Sequence, residues 1–80
     1  MPVAFREGGL RYVIYLHDHP PPHVHIIGDG EAKVALLDGE ARLIWQRGFK
    51  QADLKRALTV ISDHYQLFLQ TWESIHGRVD

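Results

Sequence analysis

His23-Val24-His25-Ile26-Ile27-Gly28-Asp29-Gly30-Glu31-Ala32-Lys33-Val34-Ala35-Leu36-Leu37-Asp38-Gly39-Glu40-Ala41-Arg42-Leu43-Ile44-Trp45-Gln46 reads as three short strands separated by two tight turns. Glycine-rich turns of this kind accept the positive φ that hairpin loops require. Closing both hairpins sets Ile26 opposite Ala32, Val24 opposite Val34, Leu36 opposite Ala41 and Val34 opposite Leu43. One face is then apolar throughout, and a one-residue slip in either hairpin would turn it over. Towards the N-terminus, Gly8-Gly9 separates Val3–Arg6 from Leu10–His17 and sets Phe5 opposite Tyr12. The stretch Asp18 to Pro22 joins Leu10–His17 to His23–Ile27, with Ile14 opposite Ile26 and Leu16 opposite Val24. All four loops place apolar residues on the same side. The predicted core face is Val3, Phe5, Tyr12, Ile14, Leu16, Val24, Ile26, Ala32, Val34, Leu36, Ala41, Leu43 and Trp45.

From Gln51 the period changes. Leu54, Leu58, Ile61, Tyr65, Phe68, Trp72 and Ile75 recur at helical spacings, with Gln51, Lys55, Thr59, Ser62, Gln66, Gln70 and Glu73 on the opposite side. Gly77 supplies a stop. The expected fold class is α+β: an antiparallel β-meander of about five strands over 2–46, with one long C-terminal helix over 50–76 on one face. Such a helix would run about 39 Å, whereas a globule of this size is about 30 Å across. Either it breaks near Ser62-Asp63-His64, or it overhangs the sheet. An overhang would expose Phe68, Leu69, Trp72 and Ile75 as a partner interface, for a homodimer or a small cognate protein.

Eighty residues make one domain, 1–80, and the absence of cysteine excludes disulfides and thiolate metal sites. The composition, 45% apolar and 24% charged, is that of a folded domain that must be held by its core. A formal charge of −1 argues against broad non-specific nucleic-acid binding. Met1–Arg6 has no apolar leader-like run, and no stretch reaches the ~18 apolar residues of a membrane span. A cytoplasmic protein without membrane contact is expected.

Four of the six histidines fall between His17 and His25. In the registers above, His17 lies opposite His23, Tyr15 opposite His25, and Lys33 beside His25, with Arg42 across from Ala35. Tyr15, His17, His23, His25, Lys33 and Arg42 therefore form a polar patch on the sheet face that one helix leaves bare. Three chemistries fit this patch. Histidines at i and i+2 on a strand can share a metal ion, with Asp18 and His19 in the loop above. A straight polyproline run would hold His19 about 12 Å from His23, so no native metal or other cofactor is expected. Paired histidines can act as acid and base in RNA cleavage, with Lys33 stabilising charge at phosphorus, which makes His23, His25 and Lys33 the candidate catalytic group. Alternatively, the histidines are structural. Tyr15, His17, His19, Arg42, Arg47 and Lys50 are candidate binding residues, because Arg42 to Arg56 holds five basic side chains against the single acid Asp53.

Asp18-His19-Pro20-Pro21-Pro22-His23-Val24-His25-Ile26, followed by Gly30-Glu31-Ala32-Lys33, resembles the signature of a small bacterial family known only as domain of unknown function 4160. Met1-Pro2-Val3-Ala4-Phe5-Arg6 and Gly48-Phe49 extend the resemblance over almost the whole chain. It carries over His19, His23, His25, Glu31 and Lys33, while His17 falls at a variable position. The resemblance implies a two-gene module of the toxin–antitoxin kind. The reading is a bacterial component that binds another protein; the alternative is a toxin-like domain that cleaves or binds RNA through the His/Lys face.

Overall fold

The computed structural model describes residues 3–77, with side chains from Phe5 onward, so the predicted core residue Val3 lies outside the described side chains. β1 (Val3–Glu7), β2 (Leu10–Ile14), β3 (His23–Ile27), β4 (Glu31–Leu37) and β5 (Glu40–Arg47) form one antiparallel sheet in chain order. α1 (Gln51–Asp63) and α2 (Tyr65–His76) follow. The turn chemistry works as its sequence suggests. Gly8 and Gly9 both sit at positive φ, as do Asp38 and Gly39, the backbone that matches a tight turn to strand twist. Phe5 faces Tyr12, Ile26 faces Ala32, Val24 faces Val34, Val34 faces Leu43 and Leu36 faces Ala41, as the alternation requires.

The register between β2 and β3 differs from expectation by two residues. Tyr12, not Ile14, pairs with Ile26, and β2 stops at Ile14. A two-residue shift keeps every side chain on its own face, so Tyr12 and Ile14 remain buried. Leu16 leaves the core and is exposed, and His17 no longer lies opposite His23. The shorter strand frees Tyr15–Pro22 as a loop, whose Pro20–Pro21 peptide is cis. The proline nitrogens cannot donate to a ladder, but Pro22 still accepts from Leu36 N–H at 2.9 Å.

A β-bulge interrupts the pairing of β4 with β5. Val34 pairs with Leu43 and Lys33 with Trp45, so Ile44 is the extra residue. The inserted residue reverses the alternation and brings Trp45 opposite Lys33 instead of into the core. Leu43 keeps its register opposite Val34, on the edge strand of the sheet. Both are 39% exposed, contrary to their predicted burial.

The helix is broken, not continuous. His64 takes φ −114° and ψ 26°, and its N–H is shared between the Val60 and Ile61 carbonyls at 3.1 and 3.2 Å. The irregularity at His64 lets α2 stay on the sheet, within a molecule whose longest dimension is 34 Å. Burying an aromatic side chain is worth roughly 1.5–3 kcal/mol, more than the ~1 kcal/mol net of a helical hydrogen bond. Keeping α2 packed on the sheet therefore outweighs the local irregularity at His64. Phe68 and Trp72 are buried with Ala57 and Ile61 against Tyr12, Ile14, Val24, Ile26, Ala32, Val34 and Leu36. Leu69 and Ile75 pack beside them, half-buried. The predicted interface of Phe68, Leu69, Trp72 and Ile75 is thus core, and Leu67 is the residue of α2 left half exposed. No helix among the described residues is long and apolar enough to cross a membrane.

Candidate functional site

His23 and His25 stand on β3 with the side of the pleat opposite Val24 and Ile26. Asp18 reaches them from the loop, where its N–H donates to Tyr15 O at 3.3 Å and closes a turn over β3. Asp18 Oδ2 lies 3.1 Å from His23 Nε2 and 3.5 Å from His25 Nε2. The other ring nitrogens also face oxygen: His23 Nδ1 is 2.9 Å from Pro21 O, and His25 Nδ1 is 3.9 Å from Glu31 Oε2. The two imidazoles meet edge to face at 5.2 Å.

His23 is 4% exposed and its ring lies 5.1 Å from that of the fully buried Trp72, which stacks on His76 at 3.9 Å. Tyr15 covers His25, edge to face at 4.9 Å. Burial pushes the His25 imidazole below its ordinary pKa; Asp18 and Glu31 oppose the shift, while His23 and Lys33 add to it. Asp18 Oδ2 and His25 Nδ1 are shielded from solvent and form no hydrogen bond. Above this cluster, His19, Lys33 and Ile44 help to line a pocket of about 410 Å³. A second cavity, of about 310 Å³, lies at the other end of the strands between the Gly8-Gly9 turn and Phe49, far from the histidines.

The structure brings together Tyr15, His19, His23, His25 and Lys33. It leaves the other candidates outside. His17 is exposed in the loop, and Lys50 is exposed at the start of α1. Arg42 pairs with Glu40 at 3.3 Å and Asp38 at 3.9 Å, and Arg47 pairs with Glu31 at 3.1 Å while lying 5.8 Å from the centre of the Trp45 ring. Ile44 is absent from the sequence-based site, and Asp18, named there only as a loop neighbour of the paired histidines, proves to be the residue that contacts both. Asp18 directly precedes the His-Pro-Pro-Pro-His-Val-His run, a signal that the assumption of a straight proline segment concealed.

Residues 9–73 match the model of a protein family described as Domain of unknown function (DUF4160). The chain belongs to the DUF4160 family. No curated protein and no solved structure matches it. The DUF4160 match runs from the β1–β2 turn into α2 and so includes Asp18, His23, His25, Glu31, Lys33 and the exposed part of β5.

Proposed function

We propose that this DUF4160 protein works by binding another protein, as one component of a two-protein module of the toxin–antitoxin kind. The partner is a small cognate protein, and it docks on β5. One observation carries this reading: the edge strand presents Leu43, Ile44 and Trp45 in succession, 39%, 53% and 39% exposed. Edge strands offer unpaired backbone groups, and proteins ordinarily guard them with charge or cover. Here the apolar triplet sits between Arg42 and Arg47, each tied to a carboxylate. That is the layout of an interface, with an apolar centre, a polar rim, and Trp and Arg as anchors.

The RNA reading draws less support. The two arginines of β5 are already paired with acids, and a formal net charge of −1 offers little long-range attraction for a phosphate backbone. His23 is buried with its Nε2 against Asp18, a poor position from which to reach a substrate. The test is titration of the tag-free chain with the product of the neighbouring gene, followed by calorimetry and light scattering. A complex of defined stoichiometry is expected, weakened on the order of 30-fold or more by Ile44→Glu, since interface anchors are commonly worth 2 kcal/mol or more. Binding that Ile44→Glu leaves unchanged, or RNA binding abolished by Lys33→Ala, would overturn the reading.

A further inference from the structure

The geometry points to a divalent transition-metal site of the zinc type, formed by Asp18, His23 and His25. It stands independently of any partner on β5. One donor atom from each residue falls within 4.8 Å of the other two. A tetrahedral ion with bonds of ~2.0–2.1 Å sets its donors about 3.4 Å apart. The two edges measured to Asp18 Oδ2, 3.1 and 3.5 Å, bracket that spacing.

Hydrogen bonding decides what those atoms present. Pro21 O can only accept, so the His23 Nδ1 beside it must carry the hydrogen. In neutral His23 the Nε2 lone pair then points at a carboxylate oxygen. Two acceptors facing at 3.1 Å repel unless a proton on His23 Nε2 or a metal ion joins them, and the metal is the joint that also engages His25. Asp18 Oδ2, shielded and without a hydrogen bond, shows the same deficit from its own side. His25 repeats the pattern, with Nε2 towards Asp18 and Nδ1 towards Glu31. Metal-binding histidines characteristically direct the second ring nitrogen to a carbonyl or carboxylate, which fixes the tautomer and orients the ring. His23 has this support in the Pro21 carbonyl at 2.9 Å, while for His25 the nearest carboxylate, Glu31, stands at 3.9 Å, beyond hydrogen-bonding distance. Glu31 is itself held by Arg47 at 3.1 Å, so this second layer continues into β5.

Two imidazoles and one carboxylate suit zinc, nickel or cobalt, not calcium or magnesium, which prefer oxygen alone. Three ligands from the protein leave the fourth position facing the pocket lined by His19 and Lys33. The sequence reading expected no metal because it placed the loop residues out of reach. The folded loop brings Asp18, not His19, onto the paired histidines, and fastens Tyr15–Pro22 to β3.

Tag-free, chelator-stripped full chain is titrated with Zn²⁺ and Co²⁺ in competition with a chromophoric chelator, and folding of each variant is checked by circular dichroism. One ion per chain is expected, with the intense visible bands of tetrahedral Co²⁺. Glu31→Gln should weaken binding by up to about 10-fold, because its carboxylate stands 3.9 Å from His25 Nδ1 and acts on it through charge alone. Asp18→Asn and His25→Ala should weaken it at least as much, and His17→Ala should leave it unchanged. If His25→Ala fails to fold, Asp18→Asn and the wild-type stoichiometry still decide. No saturable one-to-one binding, or a loss in His17→Ala equal to that in Asp18→Asn, would overturn the assignment.

Discussion

Trp72→Ala separates a side chain that belongs to the core from one that belongs to an interface. Trp72 is fully buried, its ring stacked on His76 and set against His23. Truncating a buried aromatic side chain to alanine costs about 3–5 kcal/mol, through lost transfer energy and the cavity left behind. At roughly 0.05–0.15 kcal/mol per residue, a chain of 80 residues has about 4–12 kcal/mol of stability in total. The substitution therefore removes about a quarter or more of it. With an unfolding entropy near 2.1 cal/mol/K per residue, each kcal/mol corresponds to about 6 °C, so the melting midpoint should fall by roughly 18–30 °C. Leu67, half exposed on the same helix, serves as the control, and Leu67→Ala should cost under about 1 kcal/mol. The assay is urea unfolding followed by circular dichroism, with light scattering at the same concentration. If Trp72→Ala cost no more than Leu67→Ala while the molar mass fell by half, Trp72 would be an interface residue and the packing of α2 on the sheet would be wrong.

Other perturbations probe different parts of the structure. A Cβ at Gly30 would collide with the Arg47 carbonyl oxygen and the Gly48 backbone, so Gly30→Ala should destabilise by about 1–3 kcal/mol in chemical denaturation; a neutral result would refute the close approach. Burial, then Glu7, holds the Tyr12 hydroxyl above its ordinary pKa of 10.0, against the opposing pull of Arg56. The unfolded chain therefore loses that proton first, and stability should be level up to about pH 10 and decline above it. Tyr12→Phe should remove that decline, and a rise in stability above pH 10 would contradict it. Ile44→Glu should shift stability by no more than about 0.5 kcal/mol in urea unfolding, because the side chain is mostly in solvent. A larger loss would place Ile44 in the core.

The parts of this fold that were legible in the sequence are those where alternation and turn chemistry agree. Gly8-Gly9 and Asp38-Gly39 fixed the β1–β2 register and the start of β4–β5, because positive φ at both turn positions leaves one way to close the hairpin. The β2–β3 register was not legible. A two-residue shift preserves both faces, so Tyr12 and Ile14 fit either pairing. The bulge was hidden for a related reason. Leu43, Ile44 and Trp45 are all apolar, and a run without alternation cannot show where an extra residue enters. The helix break has no proline or glycine to mark it, and the apolar spacing continues from Ile61 to Tyr65 across His64. Molecular dimensions carried the clue that it breaks and Ser62-Asp63-His64 marked the place, although His64 stands before α2 with no side-chain cap. In the site, the pairing of His25 with Lys33 followed from register alone, whereas Asp18 depends on the path of a proline-containing loop.

Hydrogen–deuterium exchange decides whether β5 is the docking strand. An edge strand leaves amide groups without partners, and these exchange quickly until another chain covers or pairs with them. Adding the neighbouring gene's product should slow exchange across Leu43–Gln46, with little change in α2, whose Phe68 and Trp72 are already buried against the sheet. Protection confined to α2 or to the Tyr15–Pro22 loop, with β5 unchanged, would contradict the account.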